Sequence, residues 1–382
     1  MKKPLLIVIV ILALLLVLPV INLIRWTFQE KMPLDIIILN KTVPTLERIK
    51  HKSLVWILTN ERFVKKERKS SYSFRKDYYG FSPTRPLKER GSTRREYRLS
   101  DMIDLPEQND VLYIADTYGV FFNDFYVGIN KSRKSRKLYG GLNNNDYILF
   151  SEMKEKNKLV ILEYNTFDYP TAQFEAYRTQ EKLGIRFTGW VGKYFTKLDS
   201  LDKDFPIWMT AMYRKQYSQP WTFKKAGIVL LTEKSIIVLE EGTHLNNPLP
   251  VIVTDQEYCT RYGVPPAVAF GNWFDIIEPL DNEVVSKFRI ETNTVGDTLL
   301  FNNMLDNEFP AVVMDPVGQR TFYFSGDFAT NPVWSWTARF VGVNKLKGLL
   351  YSDKPNDTRR FFWLYYRPLI NEIFTEYYRS LN

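Results

Sequence analysis

Cysteine and histidine are almost missing from this 382-residue chain, which has one Cys (Cys259) and two His (His51 and His244). A single cysteine cannot form an intrachain disulfide, so the small disulfide-stapled scaffolds of secreted proteins are excluded. Zinc centres want His and Cys in clusters, and these three residues are scattered. The Gly-x-Ser-x-Gly elbow of α/β serine hydrolases is absent, Ser325-Gly326 supplying only half of it. Neither phosphate-binding glycine pattern occurs, and there is no Asp-x-Asp-x-Asp-Gly calcium loop. No cofactor and no metal site is therefore expected, and no residue is assigned a catalytic role.

What is present begins with a long apolar run. Leu5 to Ile24 is apolar, and no charged side chain lies between Pro4 and Ile24. As a helix that stretch reaches about 32 Å, enough for a hydrocarbon core of about 30 Å. It is longer than a signal-peptide apolar region, and Asn22-Leu-Ile-Arg-Trp26 offers no small-residue cleavage site. Residues 1–30 are thus expected to be an N-terminal transmembrane anchor, with 31–382 a single body. Lys2 and Lys3 before the run, against Arg25, Glu30 and Lys31 after it, favour a cytoplasmic N-terminus and an extracytoplasmic body. Trp26 and Phe28 would then lie in the far aromatic belt.

The net charge of +9 is unevenly distributed. Thirteen cations and four acids fall between Arg62 and Arg98, and Lys131-Ser-Arg-Lys-Ser-Arg-Lys137 adds five cations with no acid. An exported body seldom meets nucleic acid, which removes the partner such stretches would otherwise suggest. The basic insertion loop 62–100 and the 131–137 run are read as solvated loops, or as contacts to anionic lipid or an anionic envelope polymer. A protein partner is a further option.

Leu34–Leu39, Val111–Ala115 and Leu159–Leu162 are short, continuously apolar runs. Between and after them lie stretches of helical spacing from Thr45 to Leu58, near Asn145–Lys156, and from Ala172 to Leu183 with Gly184 as a stop. Strand-helix alternation of this kind predicts parallel βαβ units, and strands apolar throughout suit a sheet covered on both faces. Past Trp190 the pattern shifts to short strands. Hairpins are expected at Gly227–Leu239 and around Asp315-Pro-Val-Gly318. A C-terminal helix over 357–380, interrupted at Pro368, should pack through Phe361, Leu364, Tyr365, Ile370, Ile373, Phe374 and Tyr377. Trp334 and Trp336 are expected to bury against that helix, or else to form a stacking platform for sugars. The fold class predicted is α/β, a flavodoxin-like, mostly parallel sheet flanked by helices, with added β-hairpins in the C-terminal half.

This order of elements, with its strand-end sequences from Leu34 to Asp327, resembles the flavodoxin-like core of class I glutamine amidotransferase-like domains. The amidotransferases themselves carry a cysteine on a glycine-flanked elbow and a His-x-Glu pair downstream. Cys259 lies in Asp255-Gln-Glu-Tyr-Cys-Thr-Arg261, and neither histidine has an acid two residues on, so the resemblance implies a module without the catalytic triad. Tyr164-Asn-Thr-Phe167, Thr188-Gly-Trp190 and Phe324-Ser-Gly-Asp-Phe328 are similar to phrases in membrane-anchored bacterial proteins of unassigned function.

Open α/β sheets bind ligands beyond the carboxyl ends of their strands. The ligand-binding candidates there are Lys41, Asp116, Thr117, Tyr118, Glu163, Asn165, Asp168, Glu240 with Glu241, and Asp327. Carboxylates near aromatic faces serve glycoside chemistry and also sugar binding without chemistry. They equally serve as helix caps and rim charges. The expected function is a membrane-anchored, non-catalytic module binding an envelope component or assembly partner, in glycan synthesis or export. The alternatives are a carboxylate-dependent hydrolase of envelope glycan and a membrane-docking scaffold.

Overall fold

Strand-forming and helix-forming stretches alternate through the first half of the chain. β1 (Ile36–Asn40) leads to α1 (Ile49–Asn60), β2 (Tyr79–Pro83) and β3 (Ser92–Arg95). β4 (Val111–Asp116), α2 (Asn144–Glu155), β5 (Leu159–Glu163) and α3 (Gln173–Leu183) follow. Next come β6 (Ile185–Phe195), α4 (Trp208–Tyr217), β7 (Gly227–Leu231), β8 (Ile236–Glu240), β9 (Val251–Thr254) and α5 (Gln256–Tyr262). The last part holds β10 (Ala267–Ala269), β11 (Trp273–Pro279), β12 (Glu283–Arg289), α6 (Thr294–Phe301), β13 (Glu308–Met314), β14 (Thr321–Phe324) and α7 (Arg367–Leu381). The structure is a computed structural model and describes residues 17, 19–84, 91–127, 135–202, 205–352, 354 and 357–382.

Ten strands form one sheet in the order β10-β9-β12-β13-β14-β5-β4-β1-β2-β3. The middle five, β14, β5, β4, β1 and β2, run parallel. Both wings are antiparallel. The α/β class is as expected, but the sheet is mixed rather than mostly parallel. The physical reason is connection length: the short links β2–β3 and β13–β14 can only return the chain as hairpins, whereas parallel neighbours need a crossover. A second, antiparallel sheet, β8-β7-β6-β11, contains the expected 227–239 hairpin. It joins the large sheet where Asp275 N donates to Ser325 O (2.6 Å) and Asp327 N donates to Trp273 O (2.9 Å).

β4 and β5 are buried at every position. One face packs on α1 and the C-terminal helix through Leu54, Trp56, Phe362 and Phe374, and the other on α2 and α3 through Leu149, Phe150, Met153 and Ala176. Each buried Leu, Phe or Met side chain there contributes roughly 1.5–3 kcal/mol by leaving water. α2 starts with a reciprocal cap, Asn143 Oδ1 accepting from Asp146 N while Asp146 accepts from Asn143 N. α3 ends at Gly184 in the left-handed region (φ +71°), as its glycine stop implies.

Several expectations are corrected. The C-terminal helix is not interrupted at Pro368. Thr358–Phe361 runs through a π-helical turn, Phe362–Tyr366, into α7, with Pro368 in its first turn. Proline is tolerated in the first turn of a helix segment because its ring presets a helical φ. All the face residues expected there are buried except Leu364, which is half-buried. The 62–100 stretch is not simply loop, because it supplies β2 and β3. Residues 85–90 and 131–134 of the two basic stretches lie outside the described residues. Trp334 and Trp336 are not buried against the C-terminal helix: they are 62% and 64% exposed.

Of the expected anchor, residues 4–16 and 18 lie outside the described residues, and 19–27 are helical. Among the described residues no helix is long and apolar enough to cross a membrane. Trp26 is buried rather than free on the surface. Its Nε1 donates to Thr59 O (3.1 Å), and the Arg62 guanidinium lies over its ring at 4.1 Å.

Candidate functional site

Because β1, β4, β5 and β14 are parallel, their carboxyl ends fall on one side of the sheet, bringing Asn40, Asp116, Glu163 and the turn after Phe324 together. Two of these strands end on an acid, and the turn after β14 adds Asp327. The buried charge this creates is met by a residue the sequence reading passed over. Lys50, in the first turn of α1, places its Nζ 2.6 Å from Asp327 Oδ2 and 3.0 Å from Asp116 Oδ2. A cation at a helix N-terminus opposes the helix dipole, so the two carboxylates are what holds it there. Burial disfavours the ammonium, yet the charges of Asp327 and Asp116 outweigh burial and raise the Lys50 pKa above its ordinary value. Lys50 therefore stays cationic and is not available as a base or nucleophile at neutral pH.

Asp116 is otherwise satisfied from its own surroundings. Its Oδ1 accepts from Thr42 Oγ1 (2.5 Å) and Tyr118 N (2.8 Å), and Thr42 Oγ1 in turn accepts from Gly119 N (2.7 Å). Burial raises its pKa, opposed by the Lys50 ammonium. Gly119 (φ +97°) and Gly140 (φ +135°) let this loop touch the end of the short strand Lys137–Tyr139. A Cβ on Gly140 would sit 2.5 Å from Gly119 Cα. Asp327 accepts from Thr330 Oγ1 and from Asn272 Nδ2 (3.1 Å).

Two further acids lie in the same region. Glu163 accepts from the Tyr113 hydroxyl and from Ala329 N (3.0 Å), with the Tyr366 hydroxyl 2.9 Å from that of Tyr113. Burial holds its pKa well above the carboxylate range, which favours the neutral acid. Asp275, on β11, accepts from the Tyr323 hydroxyl and from Asn165 N (3.2 Å) through Oδ2. Its Oδ1 is buried without a hydrogen-bond partner among the described residues. Burial pushes Asp275 up to about 8. His51, next to Lys50, is also fully buried. Its Nε2 donates to Phe74 O (2.8 Å), so its Nδ1 accepts from Asn40 Nδ2 (2.6 Å). Burial brings its pKa down to about 4.

The structure therefore gathers Asp116, Glu163 and Asp327 from the candidate set. Asn165 joins through its backbone in the left-handed region (φ +72°), its carbonyl accepting from Thr117 Oγ1 (2.9 Å). Tyr118 packs on Phe121 with ring centroids 4.7 Å apart, and Asp168 turns the loop by accepting from Tyr169 N (2.7 Å). Lys41 is diverted, pairing with Asp146 and donating to Gly141 O (2.8 Å), which fastens β1 to the start of α2. Glu240 does not join the cluster. It accepts from Lys224 N (2.7 Å) and Lys225 N (3.0 Å) on the smaller sheet, and exposed Glu241 follows it.

Lys50 and Asp275 were missed, although both carried a signal. Asp275 breaks an apolar strand, Phe274-Asp-Ile-Ile277, where an acid must find a buried partner. Lys50 heads a helix whose residues from Ser53 to Asn60 are all buried, so its first turn faces the strand ends.

Around the mouth, Phe270, Asn272, Asp327, Thr330 and Asp357 line a cleft of about 10 Å³, room for about one water. No group of three or more His, Cys, Asp or Glu side chains among the described residues is arranged to hold a metal ion. On the outer rim the rings of Tyr118, Phe121 and Tyr169 form a chain, with Tyr169 57% exposed. Phe174 and Tyr177 on α3, a few residues further along the chain, are exposed as well. No protein-family model, no curated protein and no solved structure matches this chain.

Proposed function

We propose that this chain is a non-catalytic α/β module, held at a membrane through residues 4–24 with its body extracytoplasmic, that binds an envelope glycan or an assembly partner of glycan synthesis or export. The observation that carries the reading is the closure of the strand-end cluster. Lys50 pairs with both Asp116 and Asp327, Glu163 is clamped by Tyr113 and Ala329, and the cleft beside Asp327 holds about one water. A hydrolase working through two carboxylates needs them open to a sugar and a water. The binding surface proposed is built on the exposed rings of Tyr169 and Phe174 and the half-buried Tyr118, with buried Phe121 backing Tyr118 and Tyr169, since flat rings beside polar groups suit sugar faces.

The strand order supports only the flavodoxin-like part of the reading. Taken in chain order, β1, β2, β4, β5 and β14 lie as 2-1-3-4-5, the flavodoxin-like order, and the cluster sits where that order reverses, between β1 and β4. Cys259 lies away from it, buried on α5 with its thiol against Thr254 O (3.3 Å). The apolar run and its flanking charges support the placement at a membrane.

The test is co-sedimentation of the detergent-solubilised full chain with insoluble cell-wall glycan, with reducing ends assayed in the same supernatant. Binding without release, weakened several-fold by Tyr169→Ala, supports the proposal. Release above background that Asp116→Asn abolishes establishes the hydrolase instead. Neither binding nor release removes glycan as the ligand.

A further inference from the structure

The surface formed by residues 334–350 has three properties that belong together. It is aromatic and apolar where it meets solvent: Trp334, Trp336, Leu346 and Leu349 are 62%, 64%, 57% and 84% exposed. It is cationic, because from Phe328 to Ser352 there is no acid while Arg339, Lys345 and Lys347 are all exposed. And it is fixed to the body from beneath. Trp56 Nε1 donates to Thr337 Oγ1 (2.9 Å), and Asn60 Nδ2 donates to Ala338 O (3.1 Å) and Phe340 O (3.2 Å).

The position of this surface identifies its partner. The helix α1 that carries it also receives Trp26, through Thr59 O, and the Arg339 guanidinium lies 5.8 Å from the Trp26 ring. Trp26 lies two residues past the apolar run Leu5–Ile24, after Arg25, and Ile24 and Phe28 on either side of it are exposed. The end of that run is therefore clasped to the edge of the 334–350 surface. Tryptophan rings and leucines flanked by lysine and arginine suit the headgroup layer of a bilayer. The cations add attraction to anionic lipid.

We propose that residues 334–350 are a membrane-docking face that seats Trp334, Trp336, Leu346 and Leu349 in the headgroup layer of an anionic bilayer, beside the point where the chain leaves it. The proposal rests on the reading that residues 4–24 occupy that bilayer. The body is then held close to the membrane surface at two neighbouring points, with a fixed orientation. A sugar platform built on the two tryptophans is the rival occupant, but it leaves Leu346, Leu349 and the three cations without a role.

The experiment uses the full chain reconstituted into vesicles of phosphatidylcholine, with and without phosphatidylglycerol. An environment-sensitive label is placed at Leu349→Cys or, as the aqueous reference, at Met304→Cys, which is 95% exposed. Native Cys259 is buried, which directs labelling to the introduced site. With phosphatidylglycerol, the label at 349 is expected to be roughly tenfold less accessible to an aqueous quencher than the label at 304. Charge reversal by Lys345→Glu with Lys347→Glu should erase much of that difference. If the chain floats with the vesicles and both labels are equally accessible, the docking face is wrong while the anchor reading stands. Protection at 349 only after glycan is added assigns the surface to sugar and overturns the proposal. If the chain does not float with vesicles, the anchor reading fails and the docking face falls with it.

Discussion

Tyr323 and Asp275 meet where the two sheets join, the tyrosine hydroxyl of β14 donating to the carboxyl of β11. With Asp275 pushed up to about 8 by burial, the folded chain keeps a proton that the unfolded chain loses near pH 4. Between those values folding retains a proton, so stability falls as pH rises and the whole loss is present above about 8. Asp275→Asn keeps an acceptor for Tyr323 and Asn165 but cannot ionise. In thermal melts the variant's advantage over wild type should be small at pH 5 and about 5 °C larger at pH 9. Parallel melting curves at both pH values would refute the assignment.

His51 behaves in the opposite sense. Its pKa of about 4 in the fold lies below the ordinary value, so the unfolded chain takes up the proton first as pH falls. Its contribution is complete above about pH 7 and drains away between there and pH 4. His51→Gln, which keeps an amide donor for Phe74 O, should flatten that part of the stability profile in urea titrations.

Removing the shared cation exposes two buried carboxylates to each other. Lys50→Met should cost about 3–5 kcal/mol at pH 7, the typical result of orphaning a buried ion pair. Adding Asp327→Asn should recover part of it, because one of the two repelling charges is gone. A double-mutant cycle by chemical denaturation measures the coupling. Additive losses would mean that Lys50 does not bridge the two acids.

Glu163 separates a neutral acid from a charge. As the neutral acid it is closely mimicked by glutamine, so Glu163→Gln should change stability by less than about 1 kcal/mol at pH 7. Glu163→Ala leaves Ala329 N and the Tyr113 hydroxyl unpaired and should cost about 2–4 kcal/mol. If the two variants lose equally, the acid is ionised in the fold.

The parts of the fold legible in the sequence were those with a strong local period. β1, α1, β4, α2, β5 and α3 are apolar at strand or helix spacing and were located within a few residues. β2 and β3 were hidden because they lie in the most basic stretch of the chain. β3, Ser92-Thr-Arg-Arg95, is exposed at every position and buries no face, so it leaves no apolar pattern. β6 was missed for another reason, since its pairing with β11 shifts register between Phe187 and Val191, and Gly189 there has φ +85°. At the site, strand-end logic found Asp116, Glu163 and Asp327, because parallel strands must finish on one side. It could not place Glu240, whose strand belongs to the other sheet, nor foresee that Lys41 would turn to Asp146. Lys50 reaches the acids only through the packing of α1, a tertiary fact with no counterpart in local periodicity.

The exposed strand β3 closes one side of the ten-stranded sheet, and its Arg94 and Arg95 fold back over the Tyr139 and Tyr79 rings at 5.4 and 4.2 Å. An open strand invites a second copy to continue the ladder, and like charges along it repel that copy. Colloidal behaviour should follow: concentrated solutions stay dispersed at low ionic strength, and added salt, by screening the guanidinium rim, brings the molecules into edge-to-edge association.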